Sequence, residues 1–193
     1  MSYSLPLLLT DVLSNLIRWG DVILLGLFST AEATGLYQFA ARIAAVTSIV
    51  TTSVVGIFAP IVSGFHARKQ LEEIRRHLKL VSRWCFSFSW PSLLFLAIYA
   101  AQTLLVFGKE FPPASATLLI LTVGHLWWSL VAGNMMLLSM TGYPRLNLLN
   151  MAAALIVNVA ASVYLIPRFG AIGAALAMMA SLSVWALLQT GEV

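Results

Sequence analysis

Residues 5–28 read LPLLLTDVLSNLIRWGDVILLGLF, an apolar run long enough to cross the hydrocarbon core of a bilayer, which takes about 20 residues. Polar residues interrupt this run on one side. At about 100° per residue they share an arc of about 120°: Asp11, Ser14, Asn15, Arg18 and Asp21. Because an ionisable side chain inside the bilayer costs about 2.5–3.5 kcal/mol or more, this side should face a partner or a water-filled path. The segment predicts a spanning helix and points toward transport.

The composition extends this prediction to the whole chain. Of the 193 residues, 60% are hydrophobic and only 9% are charged, whereas soluble domains have about 25% charged residues. The net charge of +4 does not indicate nucleic-acid binding, because the basic residues concentrate in one connecting segment, a distribution that sets membrane topology. With one cysteine and no clustered ligands or phosphate-binding glycine loop, the sequence predicts no metal site, no cofactor and no enzyme active site.

Long apolar segments predict an all-α, polytopic membrane helix bundle of about six transmembrane helices. The predicted spans are approximately residues 5–28, 35–63, 84–107, 113–140, 146–166 and 170–189.

The connection formed by residues 64–83 has six basic residues against two acidic ones. The positive-inside rule therefore places it, and with it the N-terminus, on the cytoplasmic side. Apolar residues recur at helical spacing in this connection, which indicates a short amphipathic helix: Leu71, Ile74, Leu78 and Val81. Such a helix would rest on anionic lipid of the inner leaflet or bind a partner.

Candidate functional residues lie on the first two spans. Asp21 and Arg42 each lie about 15 Å along their helices from the turn between the spans, so we expect them to face each other as an ion pair. The pair is either a static link between the helices or part of a cavity wall. Arg18 adds a surplus positive charge that would suit an anionic substrate group, and Gln38 shares the broad polar face of Arg42.

Two features of the later spans allow more than one interpretation. His125, followed by Ser129 and Asn134, suggests a proton relay near neutral pH, and a packed or interfacial histidine is the alternative. Small and polar residues form a narrow seam on span five, which predicts close helix packing: Asn147, Asn150, Ala154, Asn158 and Ala161.

Several short motifs occur in a characteristic order. Residues 21–26 read DVILLG, residues 35–43 read GLYQFAARI and residues 165–175 read LIPRFGAIGAA. Between them lie Pro60, Phe107-Gly108, Thr141-Gly142 and Asn158. In this order the chain resembles the bacterial polysaccharide flippases of the multidrug, oligosaccharidyl-lipid and polysaccharide exporter superfamily. Those proteins usually have about twelve to fourteen spans in two similar lobes, and the likeness is to the second lobe alone.

The resemblance implies a function for the polar side of the first spans. It implies that an undecaprenyl-pyrophosphate-linked oligosaccharide is flipped across the bacterial inner membrane by alternating access, as in lipopolysaccharide or other polysaccharide biosynthesis. Arg18 and Arg42 would attract the pyrophosphate or acidic sugars, while Asp21 and Asp11 would orient an arginine or bind a coupling ion. The implied partners are the lipid-linked oligosaccharide, membrane lipids, and a missing N-terminal lobe or a second copy, because we expect this chain to be a fragment.

Other functions stay open at this level. Within the superfamily these are a multidrug or cation antiporter and a peptidoglycan-precursor flippase. From other classes they are part of a membrane glycosyltransferase or polymer ligase, and a structural membrane subunit without transport.

Overall fold

The computed structural model describes the backbone of residues 4–140 and 144–191, and the side chains of residues 8–10, 12–70, 72–133 and 146–190. Within these ranges the chain forms seven α-helices and no strand. They are α1 (Ser4–Phe28), α2 (Ala31–Val46), α3 (Ile49–Ala67), α4 (Leu71–Leu105), α5 (Ser115–Met140), α6 (Pro144–Phe169) and α7 (Ala171–Gly191). Five stretches, one on each helix from α3 to α7, are long and apolar enough to cross a membrane. The prediction of an all-α membrane bundle is confirmed.

The predicted second span, residues 35–63, is two helices rather than one. Helix α2 ends at Val46 and α3 begins at Ile49. At the break, the hydroxyls of Thr47 and Ser48 donate to the backbone carbonyls three residues earlier, at 2.6 and 2.7 Å. Such bonds compete with the helical pattern and favour a bend. The apolar run does not reveal this break, because it continues through residues 47 and 48, although α2 is the less hydrophobic of the two helices.

The amphipathic part of the basic connection also differs from the prediction. It is the beginning of α4, which continues for 35 residues to Leu105. Ile74 and Leu78 form a buried cluster with Val62 of α3, and Val81 is also buried. The apolar side of this segment therefore packs against the bundle and does not rest on lipid; the side chain of Leu71 lies outside the described residues.

The helices pack through small side chains at their contacts. Buried alanines of α2 and α7 share a core cluster with leucines of α1, α4 and α5: Ala40, Ala44, Ala174 and Ala175. The polar seam of α6 is buried at Asn147, Asn150 and Asn158. Gln189 of α7 donates a hydrogen bond to Asn147 at 3.2 Å, so the seam joins α6 to α7 as the spacing predicted.

Candidate functional site

A buried carboxylate, Asp21, lies where α1, α2 and α6 meet. Only 1% of the Asp21 residue surface is exposed. The Tyr37 hydroxyl of α2 donates to Asp21 Oδ2 at 3.0 Å, and the Ser162 hydroxyl of α6 donates to Asp21 Oδ1 at 3.5 Å. A buried carboxylate needs such donors, because burial removes its water. Asp21 thus links three helices inside the lobe.

The predicted ion pair between Asp21 and Arg42 is wrong. No salt bridge joins them in the part of the chain that the structure describes, and Arg42 is exposed. Position along the helix placed both at similar depth, but it did not fix the direction around α2. Arg42 follows Tyr37 by five residues, which is about 140° around a helix. When Tyr37 faces Asp21, Arg42 therefore points elsewhere.

Asn158 adds an incompletely bonded polar group to this cluster. Its side chain is fully buried and lies beside the Asp21 carboxylate. Among the described residues, however, neither its amide nitrogen nor its amide oxygen makes a hydrogen bond of good geometry. Buried amides are nearly always bonded, so the interaction left to the Asn158 amide is with the Asp21 carboxylate beside it.

Tyr37, Ser162 and Asn158 were not predicted as site residues. The signal for two of them was present, because Asn158 and Ser162 are four residues apart and so lie on one side of α6. Sequence reasoning assigned Asn158 to packing, and Tyr37 appeared only within a family motif.

Two arginines lie outside this buried cluster. Arg18 precedes the end of α1 by ten residues, and Arg42 follows the start of α2 by eleven. At about 1.5 Å per residue, both lie about 15 Å from the turn between these helices. Both are exposed, and neither forms a salt bridge with another described side chain. The lobe therefore presents two guanidinium groups at one depth.

The other predicted site residues with described side chains lie on α1, α2 and α5. Asn15 is exposed and Gln38 is half-buried. The half-buried His125 of α5 lies close enough to Arg18 for an electrostatic interaction. The side chain of Asp11 lies outside the described residues. Of these predicted residues, the structure brings His125 of α5 near Arg18 of α1.

The proton relay through His125 stays a prediction. The Ser129 hydroxyl donates to the backbone carbonyl of Leu126 at 2.7 Å, so its proton is bound within the same helix. The side chain of Asn134 lies outside the described residues. Across the described ranges, no group of three or more histidine, cysteine or acidic side chains could hold a metal ion.

Known proteins resemble this chain in both sequence and fold. A family model described as "Polysaccharide biosynthesis protein" matches residues 1–116. Two curated relatives come from Haloferax volcanii: the probable low-salt glycan biosynthesis flippase Agl15, 26% identical over 172 residues, and the probable flippase AglR, 27% identical over 177 residues. These alignments cover 89% and 88% of this chain but 36% of each relative, so the chain spans about a third of their length.

The solved structure of the lipid II flippase MurJ, in an inward closed conformation, has the same fold over 95% of this chain and 40% of its own. The TM-score is 0.83 and the sequence identity is 16%, so this likeness concerns the fold alone. The matches to the family model and to the two flippases confirm the resemblance that the motifs indicated. Because the family model covers more than half of its residues, the chain belongs to the polysaccharide biosynthesis protein family.

Proposed function

We propose that this chain forms one lobe of a transporter that flips a lipid-linked glycan precursor, with Arg18 and Arg42 binding the anionic linkage between lipid and glycan. The expected cargo is an undecaprenyl-pyrophosphate-linked oligosaccharide of the bacterial inner membrane, with the N-terminus and residues 64–83 in the cytoplasm. A second lobe, or a second copy, supplies the opposite wall, and the two lobes give alternating access.

One observation carries this proposal: two guanidinium groups that form no salt bridge with a described side chain lie exposed at one depth of an apolar lobe. Arginine in lipid is strongly unfavourable, so these side chains are expected to face a cavity or a partner. A guanidinium presents five N–H donors in a planar fork that matches phosphate oxygens. Arg18 and Arg42 together offer two such forks. The two relatives from Haloferax volcanii that align with this chain are named probable flippases, which agrees with a transport role.

We assign Asp21 to coupling rather than to cargo binding. Its carboxylate is buried with the hydroxyls of Tyr37 and Ser162, and the incompletely bonded amide of Asn158 lies beside it. Oxygen atoms from three helices around one negative charge suit a proton or a hard cation. Binding there would change how tightly α1, α2 and α6 hold together.

The same burial disfavours the drug or cation antiporter. A protein that exports organic cations needs an acidic side chain that the cargo reaches, and Asp21 is enclosed by its own helices. The exposed ionisable groups at this level of α1 and α2 are instead arginines. A peptidoglycan-precursor flippase would transport a cargo with the same kind of anionic linkage. The experiment below distinguishes these two cargoes.

The test replaces Arg18 and Arg42 singly with glutamine in the cell that produces the protein. Surface polysaccharide and lipid-linked precursors are then measured at matched protein level. A hydrogen bond to a charged group contributes about 1.5–3 kcal/mol, so we expect each glutamine variant to lose about tenfold or more in transport. Lysine variants should retain part of the activity, because they keep the charge but lose the fork.

Arg68→Gln is the matched control, since Arg68 is an exposed arginine in the turn after α3. It should transport normally. Normal surface glycan in both Arg18→Gln and Arg42→Gln would refute the substrate role. Accumulation of a peptidoglycan precursor instead of a glycan precursor would identify the rival cargo. Asp21→Asn should abolish the dependence on an ion gradient, and unchanged dependence would exclude Asp21 from coupling.

A further inference from the structure

The beginning of α4 extends beyond the hydrocarbon core. A core of about 30 Å takes about 20 residues of helix, and counting back that far from Leu105 reaches about Cys85. The residues of α4 before Cys85 therefore lie at the level of the lipid headgroups and above it. This part of α4 contains four of the eleven lysine and arginine residues of the chain.

One side of this extension is occupied by protein contacts. Ile74 and Leu78 are buried with Val62 of α3, and Gly133 of α5 lies close to Leu78 and Ser82. The segment consequently cannot use its apolar side to enter the bilayer. Only the opposite side is free for an interaction.

The free side carries Arg76, Lys79 and Arg83, which we call the basic stripe. At spacings of three and four residues they fall within about 60° of one another and span about 10 Å along the helix. All three are exposed, and none forms a salt bridge with a described side chain.

The two acidic residues of this segment already have partners. Glu72 bonds Arg75 at 3.3 Å, and Glu73 lies 3.8 Å from the His77 ring. Both pairs lie within the first two turns of α4, next to Arg76 at the beginning of the basic stripe. Four basic and two acidic residues at positions 72–83 leave a surplus of two positive charges, which the basic stripe presents.

Aromatic side chains mark the depth of the stripe. Trp84 directly follows Arg83 and is 45% exposed, and Trp90 is 44% exposed and stacks on Phe86 with ring centroids 5.6 Å apart. Trp90 follows Arg83 by seven residues, so it lies two turns below it on the same side. Exposed tryptophans favour the boundary between hydrocarbon and headgroups. The basic stripe thus lies at the level of the lipid phosphates.

We propose that the basic stripe binds the phosphate groups of anionic membrane lipids and selects them over zwitterionic lipids. Charge complementarity and depth support a lipid as the occupant. A protein partner would favour a central apolar anchor among the charges, whereas the exposed aromatic residues of α4 lie toward the hydrocarbon. The site concerns the outer side of α4 and is independent of Arg18 and Arg42.

The test measures how strongly the protein selects phosphatidylglycerol over phosphatidylcholine. The chain is reconstituted in vesicles of phosphatidylcholine, and spin-labelled lipids of each type report the fraction held at the protein surface. The stripe variant is Lys79→Gln with Arg83→Gln. The matched control is Lys109→Gln with Arg168→Gln, which removes one lysine and one arginine, both exposed, at the other end of the bundle.

We expect the wild-type chain and the control to prefer phosphatidylglycerol. Each basic residue near an anionic surface contributes up to about fivefold, so the stripe variant, which lacks two, should lose about fivefold to twenty-fivefold of this preference. High salt should abolish the preference in all three proteins, because the screening length falls to about 3 Å at 1 M. Protection of the buried Cys85 thiol verifies that each variant is folded.

Equal preference in the stripe variant and the wild type would overturn the proposal. An equal loss in the control would also overturn it, because net charge rather than the stripe would then be responsible. A wild-type chain without any preference would exclude lipid phosphate and leave an acidic protein as the partner of the stripe.

Discussion

Gly173→Ala tests how closely α6 and α7 pack. A Cβ atom at Gly173 would clash with the carbonyl oxygen of Leu165 and would lie 2.6 Å from its carbonyl carbon and 2.9 Å from the nitrogen of Ile166. These are backbone atoms of α6, which cannot rotate away, so α7 must shift by about 1 Å to reach ordinary contact. Overpacking costs about 1–3 kcal/mol, and a contact with backbone belongs to the upper end. The better helix propensity of alanine recovers about 1 kcal/mol. We expect a net destabilisation of about 2 kcal/mol.

The assay uses Cys85, the single cysteine of the chain, which is buried with 0% exposure. A thiol-reactive fluorophore added to protein in detergent reports unfolding as the thiol becomes accessible. For a chain of this size, about 2 kcal/mol lowers Tm by about 4–8 °C. Gly35→Ala is the control, because Gly35 lies within α2 with no atom near its Cβ position and should gain about 0.5–1 kcal/mol. A Tm of Gly173→Ala equal to that of Gly35→Ala would refute the reasoning.

Two further changes concern the buried carboxylate and a helix end. Tyr37→Phe removes the hydroxyl that donates to Asp21 and should destabilise the lobe by about 1.5–3 kcal/mol in the same thiol assay. Combining it with Asp21→Asn should give less than the sum of the two effects. Full additivity would contradict a direct contact between the two side chains. Lys69→Gly should stabilise the folded chain by about 1 kcal/mol, because Lys69 has a left-handed φ of 58°, which glycine adopts more readily. At this turn the Gln70 N–H bonds the Phe65 carbonyl and α3 ends. A lower Tm would show that the lysine side chain itself stabilises the turn.

The helical class followed from the sequence because a bilayer leaves few alternatives for long apolar segments. The break after α2 did not follow, although the hydroxyl groups at the break favour it. Thr52 and Ser53 of α3 also donate to a backbone carbonyl, that of Ile49, and α3 continues without interruption. The same hydroxyl chemistry is therefore compatible with a bend at Thr47 and with a straight helix a few residues later. Packing of the two helix halves decides between them.

The sequence predicted several residues of the candidate site but not which side chains contact one another. The polar arc of α1 correctly indicated that Asp21 does not face lipid. A carboxylate in lipid is energetically unfavourable, and burial among other helices avoids that free-energy cost. Depth along the helices matched Asp21 with residues of α2, but the direction of each side chain around the α2 axis was not predicted. Tyr37, which faces Asp21, and Arg42 differ by about 140° around this axis. The contribution of Ser162 comes from 141 residues further along the chain. Only the packing of α1 against α6 brings that hydroxyl to the carboxylate.

The break at Thr47 and Ser48 separates two halves that are held to different degrees. Helix α2 is fixed in the core by Tyr37 and by buried alanines, whereas α3 has only Thr51 and Val62 fully buried. Arg42 lies on the fixed half, five residues before the break. A rotation at the break would therefore move α3 together with the part of α4 that packs on Val62, while the Arg42 guanidinium stays in place. The lobe can in this way change its outline on one side without disturbing the charge that it presents on the other.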